Sequence, residues 1–217
     1  NSLTNVSIIS GDVPSHFCEN MAKVTRFTLG DGVTSIGDYA FSGCPLVSNF
    51  NSDAAATLQV PSSCTSIGEH AFDGMALITD LMVPDSVTSI GVSAFGGFNS
   101  LVRMTVPFVG TGRDSSNSFA SVFSSVPSSL KEVTITDDVT IPGSAFSDQK
   151  NIEFISIPSD TESIGSNAFY GCSSLKRLNS DTDGIFNVPQ GVSSISSYAF
   201  YGCSSATAVV LGDGVTK

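Results

Sequence analysis

The stretch Ile164-Gly165-Ser166-Asn167-Ala168-Phe169-Tyr170-Gly171-Cys172 decides the fold, because versions of it recur along the whole chain. Three further copies keep Ile-Gly-x-x-Ala-Phe, at 36–41, 67–72 and 90–95. We call the phenylalanine that ends each copy the anchor phenylalanine, and with weaker copies included we assign Phe17, Phe41, Phe72, Phe95, Phe146, Phe169 and Phe200. Self-similarity at a fixed period of ~20–50 residues is typical of repeat proteins, in which each repeat packs on its neighbours.

The spacing of the anchors sets the number of repeats. Neighbouring anchors are 23, 24 or 31 residues apart, except for a gap of 51 between Phe95 and Phe146. The gap fits two repeats, one of them degenerate, and Phe108, Phe119 and Phe123 in the segment 107–130 offer competing registers for it. The sequence predicts one solenoid domain over 1–217 with eight to nine units. Because neither end has a polar cap, we expect it to be a fragment of a longer protein.

A second pattern follows each anchor and predicts a strand. In Leu101–Pro107 and Ile152–Pro158, apolar and polar residues alternate before a proline that cannot extend a ladder. Nine such strands predict a parallel sheet on the concave face of a β-rich solenoid. The Val-Thr-Ser-Ile-Gly segments, such as 33–37, predict extended stretches on the opposite wall. The Ala-Phe segments predict 3-10 or helical turns with the phenylalanine pointing inward.

Charge and hydropathy exclude several partners. The chain carries nine basic and twenty acidic residues, for a net charge of −11, so it lacks the positive surface that phosphate backbones require. It has no apolar run near the ~18 residues of a membrane helix and no signal-peptide pattern at its start. We expect no nucleic-acid partner, no membrane insertion within this chain, and any export signal or anchor outside these residues.

The repeat resembles the BspA-like, Treponema-type leucine-rich repeat, a 23-residue unit with the hallmark Ile-Gly-x-x-Ala-Phe-x-x-Cys. The resemblance covers about 3–216 and is closest at 36–44, 164–172 and 192–203. It implies a leucine-rich repeat fold and a cell-surface or secreted binding protein, with relatives that attach to host matrix proteins or other microbes. It implies no enzymatic activity.

The cysteine and histidine positions offer little chemistry. Cys44, Cys172 and Cys203 each follow an anchor by three residues, a position that faces the core, and Cys64 replaces a core valine. Cys18 has an ambiguous register. Buried thiols behave as small apolar groups, although Cys172 and Cys203 lie in adjacent repeats and can approach each other. The two histidines, His16 and His70, have no metal-binding spacing, so we expect no cofactor and no catalytic site.

Two eight-residue insertions, at 51–58 and 179–186, lengthen two repeats to 31 residues. In the second, Asn179, Asp181 and Asp183 stand at positions 1, 3 and 5 of a calcium-loop pattern, but Gln190 replaces the glutamate at position 12. We interpret both insertions as turns, with calcium at 179–183 as a weak alternative.

The outward positions of the sheet are the candidate binding surface. They carry Arg26, Asp80, Met82, Arg103, Glu132, Phe154 and Arg177. One interpretation is a self-satisfied ladder, in which Asp80, Arg103 and Glu132 pair and Arg177 lies over Phe154. The other is a binding face, because aromatic, arginine and methionine side chains anchor protein partners.

The leading functional hypothesis is a non-catalytic, extracellular or cell-surface binding module, similar to an adhesin, whose partner is a protein or glycoprotein of a host matrix or microbial surface. A structural spacer that holds another domain off the cell surface is the alternative. An enzyme requires chemistry from outside residues 1–217.

Overall fold

The structure is a computed structural model that describes residues 3–113 and 118–215. The chain forms two compact units. Unit 1 consists of Asn1–Thr105 and Ala120–Leu130, and unit 2 consists of Val106–Phe119 and Lys131–Lys217. In both units each repeat forms one coil, which runs through a sheet strand, an extended segment on the opposite wall, and a turn that ends near the next strand.

The first nine strands, in chain order, are β1 (Asn5–Ser10), β2 (Arg26–Gly32), β3 (Ser35–Ile36), β4 (Asn49–Phe50), β5 (Thr57–Gln59), β6 (Ser66–Ile67), β7 (Asp80–Met82), β8 (Ser89–Ile90) and β9 (Arg103–Val106). In unit 1 the main sheet has the order β1-β2-β4-β5-β7-β9, and every pair in it is parallel. The opposite wall is a second parallel sheet, β3-β6-β8. A 3-10 helix follows at Phe119–Val122.

The remaining strands are β10 (Glu132–Ile135), β11 (Thr140–Ile141), β12 (Phe154–Ser156), β13 (Ser163–Ile164), β14 (Arg177–Leu178), β15 (Ile185–Asn187), β16 (Ser194–Ile195) and β17 (Ala208–Val210). Unit 2 repeats the plan of unit 1, with a main parallel sheet in the order β10-β12-β14-β15-β17 and an opposite wall of β11-β13-β16. The predicted fold class, a β-rich leucine-rich repeat solenoid with extended segments opposite its sheet, is confirmed.

The core combines buried aliphatic side chains with the anchor phenylalanines of the interior coils, which stack on one another. In unit 1 the ring of Phe41 stacks on Phe72 with centroids 5.6 Å apart, and Phe72 stacks on Phe95 at 5.9 Å. In unit 2 the ring of Phe146 stacks on Phe169 at 5.6 Å. Each of these coils thus adds one ring to a column within its unit and buries a large apolar surface.

The degenerate repeat uses two of its three phenylalanines as neighbours of anchors. Phe123 lies 6.5 Å from Phe95 within unit 1, and Phe119 lies 5.0 Å from Phe146 within unit 2. Phe108, the third candidate, is also buried. All three phenylalanines are buried, which is why each of them could be taken from the sequence as the anchor of this repeat.

The glycine of Ile-Gly-x-x-Ala-Phe is required by close contact between coils. A Cβ atom at Gly91 would stand 2.2 Å from the backbone nitrogen of Glu69, and one at Gly165 would stand 2.5 Å from that of Gly143. The motif therefore contains glycine because any side chain there collides with the backbone of the preceding coil.

The turns that carry the anchors are single turns of the 3-10 type, one of the two forms predicted. They contain i→i+3 hydrogen bonds, such as Ala40 N–H to the Gly37 carbonyl at 3.3 Å. A helix cannot continue, because the residue two positions before each anchor has a left-handed backbone. These residues are Tyr39, His70, Ser93, Ser144, Asn167 and Tyr198, with φ between 52° and 59°. The only regular 3-10 helix among residues 3–113 and 118–215 is Phe119–Val122.

In the first coil, the residue at the anchor position differs from the one assigned from the sequence. His16 N–H donates to the Asp38 carbonyl at 2.9 Å, and Cys18 N–H donates to the Ala40 carbonyl at 2.7 Å. The next coil forms the same pair of bonds from Tyr39 and Phe41. Cys18 therefore occupies the anchor position and is buried, and His16 occupies the left-handed position rather than the alanine position.

Phe17 consequently takes the alanine position of its coil, and 51% of it is exposed. The assignment of Phe17 as an anchor was wrong by one residue. The assignment was based on the residue type, phenylalanine. The register is fixed instead by the backbone hydrogen bonds between coils, which place Cys18 at the anchor position.

The two insertions add strands to the main sheets. Asn49 of β4 pairs with Thr57 of β5, and Leu178 of β14 pairs with Phe186 of β15. Parallel neighbours normally need a connection of a dozen residues or more, but these connections are shorter because left-handed residues bend the chain at both ends. These residues are Asn51 and Ala56 in one insertion and Asn179 and Gly184 in the other. The insertions are turns, as predicted, but the expected strand count missed the two added strands.

Candidate functional site

The sheet face of unit 1 holds four of the predicted site residues. Asp80 and Arg103 are direct neighbours on β7 and β9, and Arg103 Nε donates to Asp80 Oδ1 at 2.5 Å. The predicted Asp80–Arg103 pair is thus confirmed. Met82 lies on the same face and is 46% exposed. Arg26, on β2, lies 3.8 Å from the fully exposed Asp53 of the first insertion, a contact that the sequence did not predict.

Part of this face borders a cavity of about 440 Å³. It is formed by the side chains of β7 and β9 on one side and the first insertion on the other. Asp80, Met82 and Arg103 line it together with Ser52 and Ala54. The insertion thus forms a raised border beside three of the candidate residues.

The sheet face of unit 2 holds Glu132, Phe154 and Arg177, which lie side by side on β10, β12 and β14. The guanidinium carbon of Arg177 stands 5.0 Å from the centroid of the Phe154 ring, which confirms the predicted cation–π contact. Arg177 Nε also lies 3.4 Å from Asp183 Oδ1 in the second insertion. The predicted pairing of Arg103 with Glu132 stays a prediction.

A cavity of about 740 Å³ opens beside Phe154. Its lining includes Asn179 and Asp181 of the second insertion, Gln190, and Val210 of β17. Val210 is half exposed, so the last strand contributes one apolar side chain to a lining that is mainly polar between it and Phe154. The structure thus brings the sheet-face residue Phe154 and the insertion residues 179–181, which the sequence treated as separate candidates, into one cavity.

Three charged residues beside this face were missed by the sequence. Glu153 Oε2 lies 2.7 Å from Lys176 Nζ, and its Oε1 lies 3.4 Å from Lys131 Nζ. The Lys176 ammonium, followed by Lys131, holds the pKa of Glu153 below its ordinary value, and Glu153 in turn raises the pKa of Lys176. Each of these residues directly precedes the outward position that the alternation pattern selected, so the pattern passed over them.

Two of the three weak calcium candidates, Asn179 and Asp183, have other partners. Asn179 Oδ1 accepts a hydrogen bond from the Ile157 backbone N–H at 2.8 Å, so it ties the insertion to the preceding coil. Asp183 lies beside Arg177, and its side chain is largely exposed. Within residues 3–113 and 118–215, no group of three or more His, Cys, Asp or Glu side chains is placed to hold a metal ion. This arrangement fits a turn better than a calcium loop.

All five cysteines are buried and unpaired. The thiols of Cys44, Cys172 and Cys203 donate to backbone carbonyls of the preceding coil, at 3.0 to 3.3 Å. Burial raises the pKa of the Cys18, Cys64 and Cys203 thiols to about 11 and that of Cys172 to about 12. Since the thiolate is the nucleophile, these cysteines serve the core, as the spacing predicted.

The turns carry a second set of side chains that the sequence reasoning did not select. In unit 1, Tyr39 stacks between His16 and His70, at 5.1 and 4.9 Å. His16 Nδ1 lies 2.8 Å from Glu19, and His70 Nδ1 lies 3.1 Å from Asp73. In unit 2 the corresponding surface carries tyrosines. Both sets stand at equivalent places in the repeat, either two residues before or one residue after the anchor. Aligning the repeats by their anchors therefore groups these side chains.

The strand order, the buried phenylalanine column and the tight Ile-Gly contacts define a leucine-rich repeat protein. More narrowly, the chain belongs to the family of BspA type leucine-rich repeat regions, whose model matches six copies over residues 11–140, 48–176 and 184–217. Members of this family are generally non-enzymatic repeat scaffolds.

Solved structures with similar folds come from several bacteria. A leucine-rich repeat protein from Bacteroides ovatus is 20% identical, with 99% of this chain and 74% of that chain covered and a TM-score of 0.41. The Treponema pallidum leucine-rich repeat protein is 23% identical over 87% and 69% of the two chains, with a TM-score of 0.40. A leucine-rich cell surface protein from Faecalibacterium prausnitzii is 21% identical over 96% and 60%, with a TM-score of 0.38. No curated protein matches the chain significantly. None of the helices in the described residues has the length and apolar character needed to cross a membrane.

Proposed function

We propose that this chain is a non-catalytic, extracellular binding module, similar to an adhesin, that presents the outward face of its main sheets to a protein or glycoprotein on a host matrix or microbial surface. The observation that carries the proposal is the cavity beside Phe154. There the Phe154 ring, with the Arg177 guanidinium over it, and the exposed Val210 side chain meet polar groups of the second insertion.

The composition of this surface fits a protein partner. Aromatic and arginine side chains supply most of the binding energy in protein interfaces when they enter a partner's pockets. Phe154 and Arg177 sit on regular strands, so little conformational entropy is lost when a partner immobilises them. The net charge of −11 favours a partner with basic patches.

The proposal of a non-catalytic role is supported by the side chains themselves. The five thiols are held in their protonated, unreactive form, and each histidine pairs with an acidic neighbour in its own turn. The extracellular or cell-surface localisation is likewise part of the proposal.

The spacer alternative also has a specific observation in its favour. The Asp80–Arg103 and Arg177–Phe154 contacts already join neighbouring strands, so the sheet face can stabilise itself without a partner.

Binding of the chain to immobilised matrix glycoproteins and to whole bacterial cells at physiological salt separates the two functions. We expect saturable binding that Phe154→Ala weakens by at least about tenfold, as for an interface anchor. Val92→Ala is the matched control, since it removes an exposed apolar side chain from a turn rather than from the sheet.

Equal binding by wild type and Phe154→Ala would place the contact elsewhere and refute the sheet-face site. If neither protein binds any surface while both remain folded by circular dichroism, the spacer function is supported instead.

A further inference from the structure

Three of the four tyrosines in the chain gather on the turns of unit 2. Tyr170 and Tyr201 each follow an anchor phenylalanine by one residue, and Tyr198 precedes the last anchor by two. Phenylalanine fills the core, whereas tyrosine appears at these outward positions. Tyr198 is 65% exposed and Tyr201 is 60% exposed.

The three rings form a corner. Tyr201 stacks on Tyr170 with centroids 5.2 Å apart and planes inclined by 15°. Tyr198 stands almost perpendicular to Tyr201, at 83° and 5.8 Å. The left-handed backbone of Tyr198, with φ of 59°, directs this side chain away from the core column. The corner is therefore built by the repeat backbone itself.

These rings line a cavity of about 620 Å³, and Asn167 completes its lining. The cavity is open to solvent, because Tyr198 and Tyr201 are both more than half exposed. The four lining side chains are uncharged and supply three hydroxyl groups and one amide, all of which donate and accept hydrogen bonds. A ligand that fits this site has an apolar face and several hydroxyl groups, and it carries no charge that needs a charged partner.

We propose that this tyrosine corner is a binding site for a neutral carbohydrate. A pyranose ring presents C–H bonds of partial positive charge, which pack on the negative face of an aromatic ring. Its equatorial hydroxyl groups then reach the perpendicular Tyr198 and the Asn167 amide. The site consists of different residues from the sheet face, so it adds a second ligand class to the proposed function.

The angle between the rings favours a sugar over a proline-rich peptide. Grooves for polyproline helices use aromatic side chains as ridges along an extended chain. The 83° angle between Tyr198 and Tyr201 closes such a groove and forms a corner that fits a compact ring. A peptide is therefore an alternative outcome of the test.

The test uses intrinsic tyrosine fluorescence, because the chain contains four tyrosines and no tryptophan. The intact chain is titrated with chitohexaose, cellohexaose, mannohexaose and maltohexaose, and separately with a proline decamer. We expect at least one hexasaccharide to bind saturably. Isothermal titration calorimetry should show that Tyr198→Ala and Tyr201→Ala each weaken binding by about tenfold, from loss of one aromatic contact.

Tyr39→Ala is the matched control, because Tyr39 holds the equivalent position to Tyr198 in unit 1 but is stacked between two histidines. It should leave saccharide binding unchanged, and so should Phe154→Ala, which tests the sheet face separately. The proposal is overturned if none of the four saccharides binds, if binding survives both tyrosine substitutions, or if only the proline decamer binds. Circular dichroism of each variant distinguishes lost binding from lost folding.

Discussion

The rings of Phe41 and Phe72 lie one coil apart and nearly parallel, with centroids separated by 5.6 Å and planes inclined by 15°. Neighbouring strands of a sheet are ~4.8 Å apart, so one ring per coil fills the distance between successive coils. Removing one ring leaves a gap that the regular backbone on either side cannot close.

Phe72→Ala should therefore destabilise the protein by about 3–5 kcal/mol, the usual cost of removing a fully buried aromatic ring. Urea unfolding followed by circular dichroism measures the loss. Phe17→Ala is the control, because Phe17 is half exposed and should cost no more than about 0.5 kcal/mol. Equal losses from the two variants would contradict the corrected register of the first coil.

Gly165→Ala should lower the unfolding temperature markedly, because the new methyl group would stand 2.5 Å from the Gly143 backbone nitrogen. Gly143→Ala provides the comparison, since its Cβ would meet the Ser166 carbonyl oxygen at an ordinary 3.4 Å. Differential scanning calorimetry should rank Gly165→Ala well below Gly143→Ala and wild type. The reverse order would show that the coils are not in close contact at the Ile-Gly motif.

The thiol of Cys172 should resist alkylation in the folded protein. With a pKa of about 12, only about one molecule in ten thousand carries the thiolate at pH 8. Mass spectrometry after iodoacetamide treatment should show an unmodified Cys172 in buffer and five modified cysteines in concentrated urea. Rapid labelling of Cys172 without denaturant would refute its burial.

Glu153 should make stability depend on pH on the acid side. Its pKa is lowered in the folded state, chiefly by Lys176, so its contribution is present above the unfolded pKa and is lost as the pH falls through the folded pKa. Glu153→Gln should be less stable than wild type at pH 7 and equally stable near pH 3. On the alkaline side, the pKa of Lys176 is raised in the folded state, chiefly by Glu153. The stabilisation from this ion pair is therefore lost as the pH rises through the folded-state pKa of Lys176.

Denaturant titrations of wild type and Glu153→Gln at several pH values measure this difference. Glu162→Gln, which changes an exposed carboxylate, should show little difference from wild type at any pH. A constant gap between wild type and Glu153→Gln from pH 3 to pH 7 would argue against the ion pairs.

Most of the fold follows from the sequence because the repeat ties each residue to a position. The Ile-Gly-x-x-Ala-Phe motif combines an inward isoleucine, a glycine in close contact and an inward ring, and these fix one coil. The first coil was misread because Phe17 stands one residue before the true anchor position, which Cys18 fills. The added strands β5 and β15 were missed because connections as short as 51–56 are unusual between parallel strands.

The candidate site was predictable where two outward positions are direct neighbours in the sheet, as for Arg177 over Phe154 and Arg103 beside Asp80. It was not predictable where an insertion meets the sheet. The cavity that joins Phe154 to Asn179 depends on how the second insertion bends, which is set by left-handed residues and not by alternation. The repeat period places the tyrosines in neighbouring coils, but the angle between their rings depends on backbone φ values that the motif does not state.

The buried, unbridged cysteines also bear on how the protein is made. A chain whose native state contains five free thiols needs no disulfide oxidase or isomerase to mature, and it reaches the same structure in reducing and oxidising surroundings. The hazard is confined to the period before burial, when five exposed sulfurs in an oxidising compartment can form wrong bridges. Cys44, Cys172 and Cys203 donate to carbonyls 26 to 34 residues earlier in the chain, so the packing of one coil on its neighbour is enough to cover each of these thiols.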